Sequence, residues 1–197
     1  MIAHINGQLI EKTPTYVVID CGGVGYQLHI SLNTFARLPD TGTVKLLSHL
    51  SIKEDAHVLF GFWDEQERGL FRLLISVNGV GPGTARMILS SLTPGELQTA
   101  ILSGQVAVLK GVKGIGEKTA QRILIDLKDK VGKSEQAPTA FSTLLAHNKV
   151  KEEALSALVM LGFARNLAEK AVEKVLKTAG GEEPQVEQLI KQALKNL

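Results

Sequence analysis

The 197-residue sequence contains a single cysteine, Cys21, and few aromatic residues, 5% of the chain. A lone thiol excludes an intrachain disulfide and any cysteine cluster for zinc or iron–sulfur. Cys21 therefore reads as a buried structural thiol. The five histidines, His4, His29, His49, His57 and His147, are scattered without the spacing of metal ligands. No apolar run approaches the roughly 20 residues that a membrane-spanning helix needs. The opening Met-Ile-Ala-His-Ile-Asn-Gly has no basic region followed by an apolar stretch, so a cytoplasmic location is expected. With 44% apolar residues the composition is that of an ordinary soluble globular protein, long enough for one to three small domains.

A net excess of either charge is also nearly absent, at +2 overall, but the charges are unevenly distributed. Residues 1–67 carry four bases against eight acids. Residues 68–133 carry ten bases (Arg68, Arg72, Arg86, Lys110, Lys113, Lys118, Arg122, Lys128, Lys130, Lys133) against four acids, and residues 134–197 balance. A positive middle between acidic and neutral flanks points to a localised site for a polyanion.

The hydrophobic period divides the chain. Gln8–Lys12, Thr15–Asp20, Tyr26–Ser31, Val44–Ile52 and His57–Phe62 are rich in strand formers and are mostly separated by Gly, Pro, Asn or Asp. With a brief helical turn at Asn33–Leu38, five short strands suit a small closed barrel of the OB-fold type, by fold analogy. From Asp64 the period becomes helical. Phe71, Leu74, Ile75 and Asn78 form one stripe, and Thr93-Pro-Gly-Glu96 supplies a capping box for a helix reaching Ser103-Gly104. A longer helix is predicted from Glu117 to Val131, buried through Ala120, Ile123, Leu124, Leu127 and Val131 and stopped by Gly132. Residues 134–147 lose periodicity and read as a flexible linker, with Phe141, Leu144 and Leu145 as its apolar members. Residues 148–197 follow as a bundle of three short helices. Its faces are Ala154, Leu155, Leu158 and Leu161, then Ala168, Ala171, Val172 and Val175, then Val186, Leu189, Ile190, Ala193 and Leu197. Gly162 ends the first helix and Gly180-Gly181 separates the last two. The expected class is α+β multidomain: barrel at 1–63, helical domain at 64–133, linker, and bundle.

An internal repeat is the strongest signal. Gly79-Val-Gly-Pro-Gly-Thr-Ala-Arg-Met-Ile-Leu89 and Gly114-Ile-Gly-Glu-Lys-Thr-Ala-Gln-Arg-Ile-Leu124 share Gly, Gly, Thr, Ala, Ile and Leu at one offset, and Leu74 and Val77 match Leu109 and Val112. Each copy reads as helix, tight Gly-Val/Ile-Gly hairpin, helix. Glycine reaches positive φ and permits close approach, so Gly79, Gly81, Gly114 and Gly116 can turn the hairpin and present amides outward while Val80 and Ile115 anchor it. The hairpin ends on a helix N-terminus, whose free N–H groups and dipole attract an anion. The expected phosphate ligands are therefore Gly79, Val80, Gly81, Gly83, Thr84 and Arg86 in the first copy. In and around the second they are Lys110, Gly114, Ile115, Gly116, Lys118, Thr119 and Arg122, with Arg86, Lys118 and Arg122 adding charge. Such sites hold backbone phosphates and read no bases. The plainer alternative is a pair of structural glycine turns.

Two other chemistries can be discounted. Gly111-Val-Lys-Gly-Ile-Gly-Glu-Lys-Thr119 resembles a nucleotide-binding P-loop, but one extra residue separates the second required Gly from the Lys and no convincing strand leads in, so no ATPase and no cofactor are expected. Helix-hairpin-helix glycosylases with lyase activity use a lysine at the place of Lys118 and a later aspartate. Here that later stretch is Ser134-Glu-Gln-Ala-Pro138, without the aspartate. A lyase using Lys118 and a generic duplex-DNA scaffold remain the alternatives to a more selective, non-catalytic DNA-binding protein. Glu54 and Asp55 stand together between two strands. Acids at a turn are ordinarily solvated, yet on a protein that grips phosphates they would repel DNA locally.

The whole chain resembles the RuvA family of Holliday-junction-binding proteins. The resemblance rests on Cys21-Gly-Gly-Val-Gly-Tyr26, Ile52-Lys-Glu-Asp-Ala56, Leu59-Phe-Gly-Phe62, Asn78-Gly-Val-Gly-Pro82, Lys113-Gly-Ile-Gly-Glu-Lys-Thr-Ala120 and Leu158-Val-Met-Leu-Gly-Phe163. It implies an N-terminal OB-fold, a homotetramer gripping four-way junction DNA during branch migration in recombination and repair, and Glu54 and Asp55 as a central acidic pin. It further implies a C-terminal three-helix domain docking a RuvB-type hexameric motor ATPase, for which Leu161, Gly162 and Phe163 are the expected contacts, and a RuvC-type resolvase as a further partner. Gly83 departs from the family, where many relatives carry lysine, so the first hairpin is expected to depend more on its backbone amides and Arg86.

Overall fold

The computed structural model describes residues 2–134, 145–178 and 185–196. Five strands, β1 (His4–Lys12), β2 (Tyr16–Asp20), β3 (Gly25–His29), β4 (Thr43–Ile52) and β5 (His57–Phe62), close into a barrel in the order β1-β2-β3-β5-β4. Only the β3–β5 pair is parallel. Closure depends on β1, whose first half pairs with β4 (His4–Gln8) and whose second half pairs with β2 (Gln8–Lys12). Gly7 stands where the strand changes partner. A Cβ there would lie 2.1 Å from the Asp20 carbonyl oxygen, so only glycine lets β1 cross β2 this closely. A bulge follows between Leu9 and Glu11, which leaves Ile10 exposed.

Strand propensity alone starts β1 at Gln8. The strand in fact begins at His4. The Cys21 thiol is half-buried rather than buried, and it donates to the Asn6 carbonyl at 3.2 Å. The barrel core is Ile5, Leu9, Val17, Ile19, Leu28, Val44 and Leu46 from the strands, where inward and outward positions alternate, with Ile30 just past β3 and Leu38 at the end of the following helix. A short helix, α1 (Leu32–Arg37), caps it.

Five helices continue the same compact unit: α2 (Glu65–Ile75), α3 (Pro82–Ser91), α4 (Pro94–Leu102), α5 (Val106–Lys110) and α6 (Glu117–Ser134). α2 ends at Ile75, so Asn78 lies beyond it and is exposed, not on its apolar stripe. α4 has the expected capping box between Thr93 and Glu96, and the Thr93 backbone and hydroxyl donors hold the Glu96 carboxyl below its ordinary range. α6 runs past Val131, the end predicted from the glycine signal, and through Gly132 to Ser134.

The helices have a core of their own beside that of the barrel, and β5 joins it. Phe60 and Phe62 of β5 pack on Phe71 of α2, with ring centroids 5.1 and 4.8 Å apart, and the cluster continues through Leu74, Ile88, Leu97, Leu109 and Ile123. A buried polar joint adds direction to this apolar seam. Glu67 of α2 accepts hydrogen bonds from the hydroxyls of Ser31 and Thr34, and the Trp63 amide donates to the Thr34 hydroxyl at 3.1 Å. Burial raises the Glu67 carboxyl pKa, against the lowering effect of those hydrogen bonds.

A second compact unit contains α7 (Leu145–Met160), α8 (Arg165–Thr178) and α9 (Val186–Leu194) around Ala154, Leu155, Leu158, Ala168, Ala171, Val172, Val175, Leu189 and Ala193. Its first helix starts at Leu145, so the last residues of the expected linker are helical, and Ser134 at its other end belongs to α6. Most of the expected linker, with Phe141 and Leu144, lies outside the described residues, as do Gly180-Gly181 and Leu197. Gly162, at φ 100°, ends the turn after α7 as expected. Leu161 does not join the core: it is 61% exposed, because that turn carries its side chain off the face used by Leu158. No helix among the described residues is long and apolar enough to cross a membrane.

Candidate nucleic-acid interface

The two copies of the repeat have matching backbones. In the first, α2 leads through Ser76–Gly81 into α3. In the second, α5 leads through Gly111–Gly116 into α6. Hydrogen bonds recur at equivalent positions. Val77 N donates to Leu74 O at 3.0 Å as Val112 N does to Leu109 O at 3.2 Å, and Val80 N donates to Val77 O at 3.0 Å as Ile115 N does to Val112 O at 3.1 Å. Gly79 and Gly114 alone in the two hairpins take positive φ. Val80 and Ile115 are buried and pin each hairpin to the shared core, in keeping with their branched side chains.

What the hairpins present is backbone N–H. Gly81 caps α3 without any side-chain hydrogen bond, and Pro82 has no N–H. The first α3 donor to reach a carbonyl is Ala85, bonded to Gly81 O at 2.9 Å. Its counterpart Ala120 bonds Gly116 O at the same distance. The amides of Gly83 and Thr84, and those of Glu117, Lys118 and Thr119, have no acceptor among the described residues. Each is a cluster of unpaired donors at the positive end of a helix dipole, the arrangement that holds an anion.

The cations are distributed differently from what sequence spacing predicts. Lys118 is exposed beside the second hairpin and makes no ion pair among the described residues. Lys113, which the sequence-based set of ligands omits, is equally exposed and immediately precedes Gly114. It occupies the place that Asn78 has in the first copy, so the repeat offset is the signal that could have found it. Lys110 pairs with Glu117 at 3.0 Å, and so its charge is partly answered within the protein.

Arg86, expected from its position to add charge to the first hairpin, has its guanidinium on the barrel side of α3. Its guanidinium donates to the Thr15 carbonyl at 2.9 Å and faces His29 Nδ1 at 3.3 Å, tying α3 to the barrel. Burial, and then the charge of Arg86, lower the His29 pKa. Arg122, expected beside the second hairpin, reaches the first and donates to the Asn78 carbonyl at 3.0 Å. Gly83 is exposed, with nothing within 4 Å of the position a Cβ would take.

Away from the hairpins, Glu54 and Asp55 are both exposed at the tip between β4 and β5, a turn closed by Lys53 N donating to Ala56 O at 2.8 Å. The P-loop-like stretch at Gly111–Thr119 is entered from the helix α5, not from a strand, so it lacks the strand–loop–helix frame of a nucleotide site. No group of three or more His, Cys, Asp or Glu suited to a metal occurs among the described residues. In the second unit Leu161 and Gly162 are exposed while Phe163 packs partly on the core, and Met160 and Leu167 extend the exposed apolar surface.

Comparison with known families matches the three regions separately. The RuvA N terminal domain model covers residues 1–61, a SAM-like helix-hairpin-helix tandem covers 71–129, and the RuvA C-terminal domain covers 149–197. Among curated proteins, the chain is 55% identical to the Holliday junction branch migration complex subunit RuvA of Christiangramia forsetii, over the full length of both. It is 53% identical to the protein of that name from Flavobacterium psychrophilum and 50% identical to the one from Bacteroides fragilis, again over the full length of each. On this agreement across all three regions, the chain belongs to the RuvA family.

Proposed function

We infer that this chain is a non-enzymatic, structure-selective DNA-binding subunit that holds a Holliday junction open for branch migration in recombination and repair. The observation that carries the reading is the pair of matching hairpins, each ending in unpaired amides at a helix N-terminus, within the basic segment of the chain. Amide clusters of this kind bind phosphate without regard to base sequence, which suits a protein that must stay bound while the sequence moves through it. The exposed acids at Glu54 and Asp55 supply the complement: a negative tip that repels strands converging on it.

The reading extends to assembly. Four copies would set eight hairpins around the four arms. The second unit, with Leu161, Gly162, Met160 and Leu167 exposed, offers an apolar surface to a hexameric motor ATPase of the RuvB type. A RuvC-type resolvase and a cytoplasmic setting belong to the same reading.

Titration of four-way and linear DNA of the same sequence tests it, with tighter binding of the four-way form expected. Equal affinities would favour a generic duplex scaffold, and borohydride trapping on abasic DNA would favour a lyase acting through Lys118. A chain ending at Gln136, where the first unit ends, should keep junction affinity and lose stimulation of the motor's ATPase.

A further inference from the structure

We propose that Arg122, a residue of the second motif, serves as the cation of the first hairpin and sets the spacing between the two phosphate sites. The inference rests on the DNA-binding reading above. The first hairpin has no charge of its own. From Asn78 to Ala85 no residue is ionisable, Gly83 offers only hydrogen, and Arg86, the nearest cation in sequence, is bound to the Thr15 carbonyl and faces His29 on the barrel. The second hairpin is well supplied, by Lys113 before it and Lys118 after it, both exposed and neither in an ion pair among the described residues.

Arg122 follows Lys118 by one turn of α6, but it leaves its own hairpin and crosses to the other. Its Nη1 donates to the Asn78 carbonyl at 3.0 Å and would lie 3.7 Å from a Cβ on Gly79. A neutral carbonyl does not cancel the charge, and one hydrogen bond occupies one of the five N–H donors of a guanidinium. The other donors have no partner among the described residues. The planar fork is thus held by one edge against the first hairpin, with charge and donors left over for a phosphate approaching the amides of Gly83 and Thr84. Because the same side chain is rooted in α6, it also braces one hairpin against the other.

A double-mutant cycle on the full chain, read as junction affinity across a salt series, tests the assignment. Arg122→Gln removes the charge. It should weaken binding about tenfold near 0.1 M salt and flatten the slope of log K against log salt by roughly 0.9 for each phosphate no longer neutralised, without lowering the thermal unfolding midpoint by more than a few degrees. Gly83→Lys places an ammonium on the first turn of α3, beside the same hairpin, in open space. If Arg122 serves that hairpin, Gly83→Lys restores affinity and slope in the Arg122→Gln background and adds much less to the otherwise unaltered chain. Combined with Lys118→Ala, which removes a cation from the second hairpin, its effect should simply add. A wild-type salt slope in Arg122→Gln would reduce Arg122 to a brace. Equal gains from Gly83→Lys with and without Arg122 would assign the guanidinium to a different phosphate, and either result overturns the proposal. If the DNA-binding reading itself were wrong, Lys118→Ala would also leave the slope unchanged and the unaltered chain would show no preference for the four-way form.

Discussion

Gly79 and Gly114 hold the same place in the two motifs and nearly the same backbone angle, with φ of 89° and 88°. Neither is crowded: at Gly114 nothing lies within 4 Å of a Cβ position, and at Gly79 only the Arg122 guanidinium does, at 3.7 Å. The requirement is for the left-handed conformation itself, which costs an L-residue about 1–2 kcal/mol. Gly79→Ala and Gly114→Ala should therefore lower the thermal unfolding midpoint. Gly81 is different, at φ −83°, and neither it nor Gly116 has a positive φ or a crowded Cβ position. Gly81→Ala and Gly116→Ala should leave stability nearly unchanged and weaken DNA binding, because the added methyl stands where the phosphate must approach. Thermal melts paired with DNA titrations of the four variants separate the turn-forming glycines from the contact glycines.

Arg86→Ala should show the opposite pattern to Lys118→Ala. Its hydrogen bond to Thr15 O joins α3 to the barrel, so removal should cost about 1 kcal/mol of stability and leave the salt slope of DNA binding in place. The His29 pKa, lowered first by burial and then by the Arg86 charge, should rise toward its ordinary value, as an imidazole titration followed by NMR would record. A flattened salt slope would return Arg86 to the DNA-binding surface.

Glu67 makes stability depend on pH in a defined direction. Burial raises its carboxyl pKa above the ordinary 4.5, so between the two values the folded chain keeps a proton that the unfolded chain has released. The associated stability is complete below the ordinary value and is lost as pH rises through the raised one. Glu67→Gln, neutral at every pH, should flatten this decline and be at least as stable as the unaltered chain near neutrality. Denaturant unfolding at several pH values checks it. A decline that persists in the variant would place its origin elsewhere.

The parts of the molecule legible in sequence are those fixed by local chemistry. Strand alternation, the Thr93–Glu96 capping box and the glycine repeat each name their own geometry, and the structure places them accordingly. The parts misread are those in which a distant contact decides. Strand propensity starts β1 at Gln8, but the strand begins at His4, and Gly7 lets it pass the Asp20 carbonyl. Arg86 and Arg122 have the same charge and each stands beside a hairpin in sequence. Where each guanidinium goes depends on carbonyls at Thr15 and Asn78, which sequence spacing does not bring near.

Neutralising the tip between β4 and β5 tests the acidic pin. Glu54 and Asp55 are exposed on a turn held by a backbone bond from Lys53 to Ala56, so Gln and Asn replacements at these positions should leave the barrel intact. Two carboxylates close to converging phosphates raise the energy of the bound state. Removing their charge should preserve or strengthen binding to linear and four-way DNA alike. The gain should be larger for linear DNA, because the repulsion opposes a duplex lying across the tip and is relieved where strands part around it. Selectivity for the four-way form should therefore fall. Screening predicts the salt dependence: with a Debye length of about 10 Å at 0.1 M, the difference between variant and unaltered chain should be greatest at low salt and shrink as salt rises. The measurement is a titration of both DNA forms with both proteins at two salt concentrations. Unchanged linear-DNA affinity together with an unchanged selectivity ratio at low salt would make Glu54 and Asp55 solvated turn residues and nothing more.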